Sequence, residues 1–185
     1  MATDVPPAQS TSLPSIVNRI AALIEHGAGI LSAGDAAALR RMDPREPAAA
    51  FFKLAGAELG TQLPNEPDAR IETETRWAAI IVSLAHLGTL HRPGIPLGRA
   101  LASAQLSEMR FARLLRADAA RLVDELPMLA RFLSAKGVPA DWTGAALLLL
   151  SLGRQDEETA RRQLARDFYG AVAATGRTES VTEKP

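Results

Sequence analysis

Alanine and leucine supply 35 and 25 of the 185 residues, whereas valine and isoleucine supply only 7 and 8. Ala and Leu are strong helix formers, and β-branched residues favour strands. This imbalance confines the chain to helices. The expected fold class is all-α: two small helical bundles with about eight or nine helices. The length suffices to bury a real core in one domain or two small ones.

Hydrophobic spacing and breaker residues place the elements. A first helix is expected over 14–26, with Ser12 as cap, Pro14 in the first turn and Gly27 as stop. Ile16, Ile20, Leu23 and Ile24 fall on one face, as a core stripe does. Asp35 is expected to cap a short helix over 36–42, and Pro47 to start another that runs to Gly60. The stretch 61–68 has two prolines and predicts a loop. A long helix over 69–90 buries Trp77, Ile80, Ile81, Leu84 and Leu87. HRPGIP, residues 91–96, breaks it and marks a boundary between two bundles. Beyond it, helices are expected over 97–104, over 108–126 capped by Ser107, from Pro127 to Lys136, and over 142–152 capped by Asp141. Asp156, Glu157 and Glu158 place negative charge at the start of a last helix, which carries Leu164, Phe168 and Val172. The domain reading is a disordered tail over 1–12, an N-terminal bundle over 13–95, a C-terminal bundle over 96–173 and a second disordered tail over 174–185.

Composition excludes several function classes. Lys+Arg and Asp+Glu are both 21, so the formal net charge is zero. No global field steers the molecule to a polyanion, and any nucleic-acid binding must come from local patches. Cysteine is absent, which removes disulfides, thiolate metal sites and cysteine nucleophiles. The longest strictly apolar run, 145–150, is too short to span a bilayer. The opening residues carry neither the basic nor the apolar region of a signal peptide. A cytoplasmic location is the default expectation.

Chemistry-bearing constellations are not found. His86 and His91 are five apart, about 140° around a helix, and do not converge on a metal. With His26 they read as helix-surface or helix-end residues. Glu72/Glu74 and Asp124/Glu125 are two and one apart, so each pair diverges and reads as a solvated face. No nucleophile, base and oxyanion site assemble. The expectation is a protein that is not an enzyme and needs no cofactor or metal. Trp77 and Phe51 or Phe52 read as core, and Trp142 is open between core and surface.

Arginine placement is the remaining signal. The basic set is 18 Arg against 3 Lys. Arginine binds phosphate bidentately, although a GC-rich genome produces the same bias. On a single helix after Ser107, Arg110, Arg113 and Arg121 lie within about 80° of one another, with Arg116 at their margin. Phe111, Leu115, Leu122 and Leu126 point elsewhere, toward a core. Such a stripe matches a phosphate backbone. Spacing alone favours an ordinary charged face, with Glu108, Asp118 and Asp124 as counter-ions.

The order of segments resembles the CasB family, the small subunit of the type I-E CRISPR surveillance complex Cascade. GDAAALRR (34–41) is similar to its first basic helix, PAAAFFKL (47–54) to its aromatic helix and RWAAIIVSLAHL (76–87) to its long central helix. LGRALA (97–102), SEMRFARLLRAD (107–118), VPADW (138–142) and ARRQLARDFY (160–169) complete the pattern, over about residues 30–172. Leu149, Leu150 and Leu164 stand in helices where members often carry a further Trp. The resemblance implies a non-catalytic all-α protein of two bundles, acting in antiviral defence. It implies contact with other Cascade subunits, with a second copy head to tail, with CRISPR RNA and with target DNA, no membrane being involved. Carried over by segment, the implied nucleic-acid-binding residues are Arg40, Arg41, Arg99, Arg110, Arg113, Arg116, Arg131, Lys136 and Arg154. They would hold the R-loop, meaning the guide-paired target strand and the displaced strand. Two other classes remain open at this stage. One is a helix-turn-helix DNA-binding regulator built on 97–126, and the other is a helical scaffold that binds only protein.

Overall fold

The computed structural model describes residues 12–27 and 29–182, the last seven of these for their backbone only. The expected tail over 1–12 therefore lies outside the described residues except for Ser12. Nine α-helices are present among the described residues: α1 (Leu13–His26), α2 (Ala33–Arg41), α3 (Ala49–Glu58), α4 (Pro67–Leu87), α5 (Leu97–Ser103), α6 (Glu108–Leu114), α7 (Ala119–Lys136), α8 (Thr143–Ser151) and α9 (Glu157–Thr182). The helical class expected from composition is the class observed. Two short strands, β1 (His91–Pro96) and β2 (Ala140–Asp141), add a small parallel pairing. α9 continues past Ala174, where the sequence pattern ended it.

Local chemistry explains the helix ends. α1 stops at Gly27, whose left-handed φ of 71° lets its N–H reach the Leu23 carbonyl. α2 starts three residues earlier than expected. Ser32, not Asp35, is its cap: the Ser32 hydroxyl accepts from the Asp35 N–H at 3.1 Å, and Asp35 Oδ2 accepts from the Ser32 N–H at 2.9 Å. Each residue satisfies the other's free donor. The Glu66 carboxylate accepts from the Asp68 and Ala69 amides and opens α4. Pro127 lies inside α7 without restarting it.

Packing follows from which helices are apolar all round. From Trp77 to Ala85 every α4 side chain is buried, and α8 buries Ala145, Ala146, Leu148 and Leu149. Helices of this kind must be covered on several sides. α4 is accordingly contacted by α1, α2, α7 and α8, and its packing on α7 is the most extensive helix pairing in the fold. That packing crosses the boundary expected at 95/96, and one continuous apolar cluster draws on both halves.

The HRPGIP segment, expected as a plain break, is a structural joint. His91 is buried. Its Nε2 donates to Asn18 Oδ1 at 2.8 Å, because its Nδ1 accepts the Trp142 N–H at 3.2 Å. Gly94 N–H donates to Asp141 Oδ2 at 2.9 Å, and Asp141 Oδ1 accepts from the Thr143 N–H at 2.9 Å. One histidine and one aspartate thus tie α1, β1 and the start of α8 together. His91 is therefore not the surface histidine the spacing suggested. Trp142 is fully buried, which settles it as core.

Candidate nucleic-acid interface

The single helix expected over 108–126 is two helices. The Ser107 hydroxyl caps α6 by accepting from the Arg110 N–H at 3.4 Å. The Asp118 carboxylate caps α7 by accepting from the Arg121 N–H at 2.9 Å. Between them, Arg161 of α9 donates to the Leu115 and Ala117 carbonyls. These are acceptors that the end of a helix leaves free, so a guanidinium from another helix stabilises the turn. The stripe geometry built on one helix does not apply.

Tertiary packing nevertheless brings the same three arginines to one place. Arg110 and Arg113 from α6 and Arg121 from α7 line a cleft of about 100 Å³, together with Glu125 and Met128. Their environments differ. Arg121 is bound to Glu125 at 2.6 Å. Arg110 lies over the Phe132 ring, 5.7 Å from its centre, a contact that orients a guanidinium without neutralising it. Arg113 Nη2 donates to Met109 Sδ at 3.4 Å.

A second group forms where α2, α4 and α7 meet. Arg40 Nε donates to the Ala85 carbonyl at 2.9 Å, and Arg131 Nε donates to His86 Nε2 at 2.8 Å. Burial, then the charges of Arg131 and Arg40, hold the His86 ring below its ordinary pKa, against a smaller opposing effect of the Arg40 backbone. His86 read from sequence as a bland surface histidine. Arg131 lies 45 residues further along the chain and Arg40 reaches the neighbouring Ala85 carbonyl from 45 residues before it, and no local pattern signals that.

The other implied residues are dispersed. Arg41 ends α2, Arg99 lies on α5, Arg116 follows α6, Lys136 ends α7 and Arg154 follows α8; all five are exposed. None of the nine implied cations is in an ion pair with a carboxylate among the described residues. The ion pairs engage Arg19, Arg45, Lys53, Arg70, Arg76, Arg121, Arg161 and Arg162 instead. The acidic neighbours Glu72/Glu74 and Asp124/Glu125 each divide between different arginines. Among the described residues no group of three His, Asp or Glu is placed to hold a metal ion, and no helix is long and apolar enough to cross a membrane.

Sequence reasoning missed two structural arginines. Arg76 Nη1 donates to the Leu149 and Leu152 carbonyls at 3.3 and 3.2 Å, closing the end of α8. Arg161 does the same for α6. Both are mostly buried, with side chains 14% and 16% exposed.

Fold and surface together define a mostly helical protein that keeps a set of guanidiniums free of carboxylates. The family model described as CRISPR-associated protein Cse2 matches residues 35–169, and the chain belongs to that family. This is the CasB family that the ordered segments resemble, and it makes the chain a CRISPR Cascade subunit that associates with other Cascade components. Neither the curated proteins nor the solved structures searched gave a match.

Proposed function

We propose that the protein is a non-catalytic small subunit that grips nucleic-acid backbone without reading its sequence and so stabilises an R-loop. One observation supports this most. Among the described residues, Arg40, Arg41, Arg99, Arg110, Arg113, Arg116, Arg131, Lys136 and Arg154 are all without a carboxylate partner. A guanidinium already paired with a carboxylate must break that pair to bind phosphate; these need not.

R-loop formation exchanges one duplex for another at nearly balanced free energy, so modest backbone contacts tip it. The neutral chain need not bind DNA tightly alone. Held among other Cascade subunits and a second copy head to tail, its cations meet the target and displaced strands at high effective concentration.

Mobility shifts with duplex, with single strand and with a guide-RNA complex, at two salt concentrations, test the reading. It predicts weak, sequence-blind, salt-sensitive binding alone and strong retention within the complex. Tight binding of one duplex sequence by the isolated chain would identify a helix-turn-helix regulator instead. Binding of protein without any salt-dependent nucleic-acid contact would identify a scaffold.

A further inference from the structure

We infer that phosphodiester binding at the cluster of Arg40, His86 and Arg131 is coupled to uptake of one proton by the His86 ring, so that this surface holds nucleic acid more tightly as the pH falls. The inference rests on the nucleic-acid reading above and adds a regulation to it.

The geometry fixes the starting state. A guanidinium Nε always carries hydrogen, so in the 2.8 Å contact Arg131 Nε is the donor and His86 Nε2 the acceptor. The ring is neutral, with its proton on Nδ1. Arg40 stands on the other side of the same turn, its Nε on the carbonyl of the preceding Ala85. Protonating Nε2 would turn this acceptor into a donor facing a donor, and add a third positive charge to two.

Among the described residues no carboxylate is paired with Arg40, His86 or Arg131. The charges acting on the ring are Arg131 of α7 and Arg40 of α2. The acids of α7, Asp124 and Glu125, are engaged by Arg45 and Arg121, and Asp35 of α2 by Lys53. Those of α4 lie in its first half, Glu72 and Glu74 being bound to Arg76 and Arg70. In α1, Arg19 is bound to Glu58, and Glu25 and His26 are not among the charges acting on the ring. α8 carries no charged residue.

An incoming phosphodiester supplies the missing negative charge. Arg131 Nε turns from the ring nitrogen to a phosphate oxygen. The freed Nε2 takes a proton from solvent and donates it to a second oxygen. One N–H bond forms, no electrons move, and the site passes from two cations to three around one anion.

The test is the affinity of the full chain for a rhodamine-labelled oligo-dT single strand from pH 8 to pH 5.5, at constant low ionic strength. The wild type is expected to tighten by up to about tenfold per pH unit once the pH enters the range where the bound ring is protonated and the free ring is not. His86→Gln keeps an acceptor for Arg131 but cannot take a proton. Its affinity should vary less with pH than that of the wild type, so the ratio of wild-type to variant affinity should grow as the pH falls. Proton NMR of the His86 ring supplies a second measurement: adding the oligonucleotide should raise its titration midpoint. Equal pH dependence in both chains, or an unmoved midpoint, overturns the coupling and leaves the nucleic-acid reading intact. No binding at any pH overturns both.

Discussion

Gly98 of α5 faces the backbone at Leu164 of α9 so closely that a β-carbon on it would stand 2.5 Å from the Leu164 carbonyl oxygen. The same carbon would lie 2.7 Å from the Phe168 nitrogen. Neither neighbour is a flexible side-chain tip. The crossing of α5 and α9 therefore requires a residue without Cβ, and Phe168 at this crossing stacks on Phe111 of α6 with ring centres 3.7 Å apart. Gly98→Ala is expected to lower unfolding free energy by roughly 1–3 kcal/mol through overpacking. Urea unfolding checks it; an unchanged midpoint would contradict the close approach.

Arg161→Leu should destabilise the chain by about 1–3 kcal/mol, because it strands the Leu115 and Ala117 carbonyls at the turn between α6 and α7. Arg162→Leu, one residue on, removes only an exposed pair with Glu158 and should change stability by less than about 0.5 kcal/mol. Parallel denaturant curves compare the two.

Acidification should weaken the fold through His91. Burial holds this ring below its ordinary 6.5, with the Asp141 charge partly opposing. An unfolded chain takes up the proton as the pH falls through about 6.5, while the folded chain does not until lower pH. Stability is therefore full above that range and is lost on going down through it. Thermal melts from pH 8 to pH 5 should show the decline, and it should be smaller in His91→Gln. Equal declines would remove His91 as the cause.

Asp35 contributes in a more acidic window. Its carboxylate, held first by Lys53 and then by Ser32, has its pKa lowered from 3.8 to about 2. The stability it gives is present above about pH 4 and is lost as the pH falls toward 2. Asp35→Asn should flatten the denaturation profile between those limits, as followed by circular dichroism. An unaltered profile would contradict it.

Much of the helical order was legible because apolar spacing is local. Trp77, Ile80, Ile81, Leu84 and Leu87 announce the buried face of α4, and Gly27 announces the end of α1. What escaped was set by residues far apart in sequence. SEMRFARLLRADAARL holds no Gly or Pro, and Asp118, which caps α7, reads from sequence as a counter-ion. The break there depends on Arg161 reaching the Leu115 and Ala117 carbonyls from α9. The start of α2 was misplaced because both Ser32 and Asp35 are good caps, and the reciprocal pair uses both. HRPGIP lacks strand propensity and is extended because Ala140 and Asp141 pair with it. At the candidate site, the arginines were legible as residue types. Which of them carry a carboxylate was not: Arg121 has Glu125 within reach along its own helix, whereas Arg45, in the turn between α2 and α3, finds Asp124 on α7. The role of His86 depends on α2 and α7 converging on it.

Among the cations without a carboxylate partner, Arg110 and Arg116 are the most direct test of contact with nucleic-acid backbone. The Arg110 guanidinium lies over the Phe132 ring and Arg116 is exposed beyond α6, so changing both to Ala should leave the fold intact. The decisive measurement is the salt dependence of DNA retention by a reconstituted guide-RNA complex, wild type against Arg110→Ala/Arg116→Ala. If the wild type neutralises about five phosphates of a single strand, its log–log slope should be about −3.5, and the double variant should fall to about −2.1 with weaker retention. Identical slopes and identical retention in the two complexes would contradict the account.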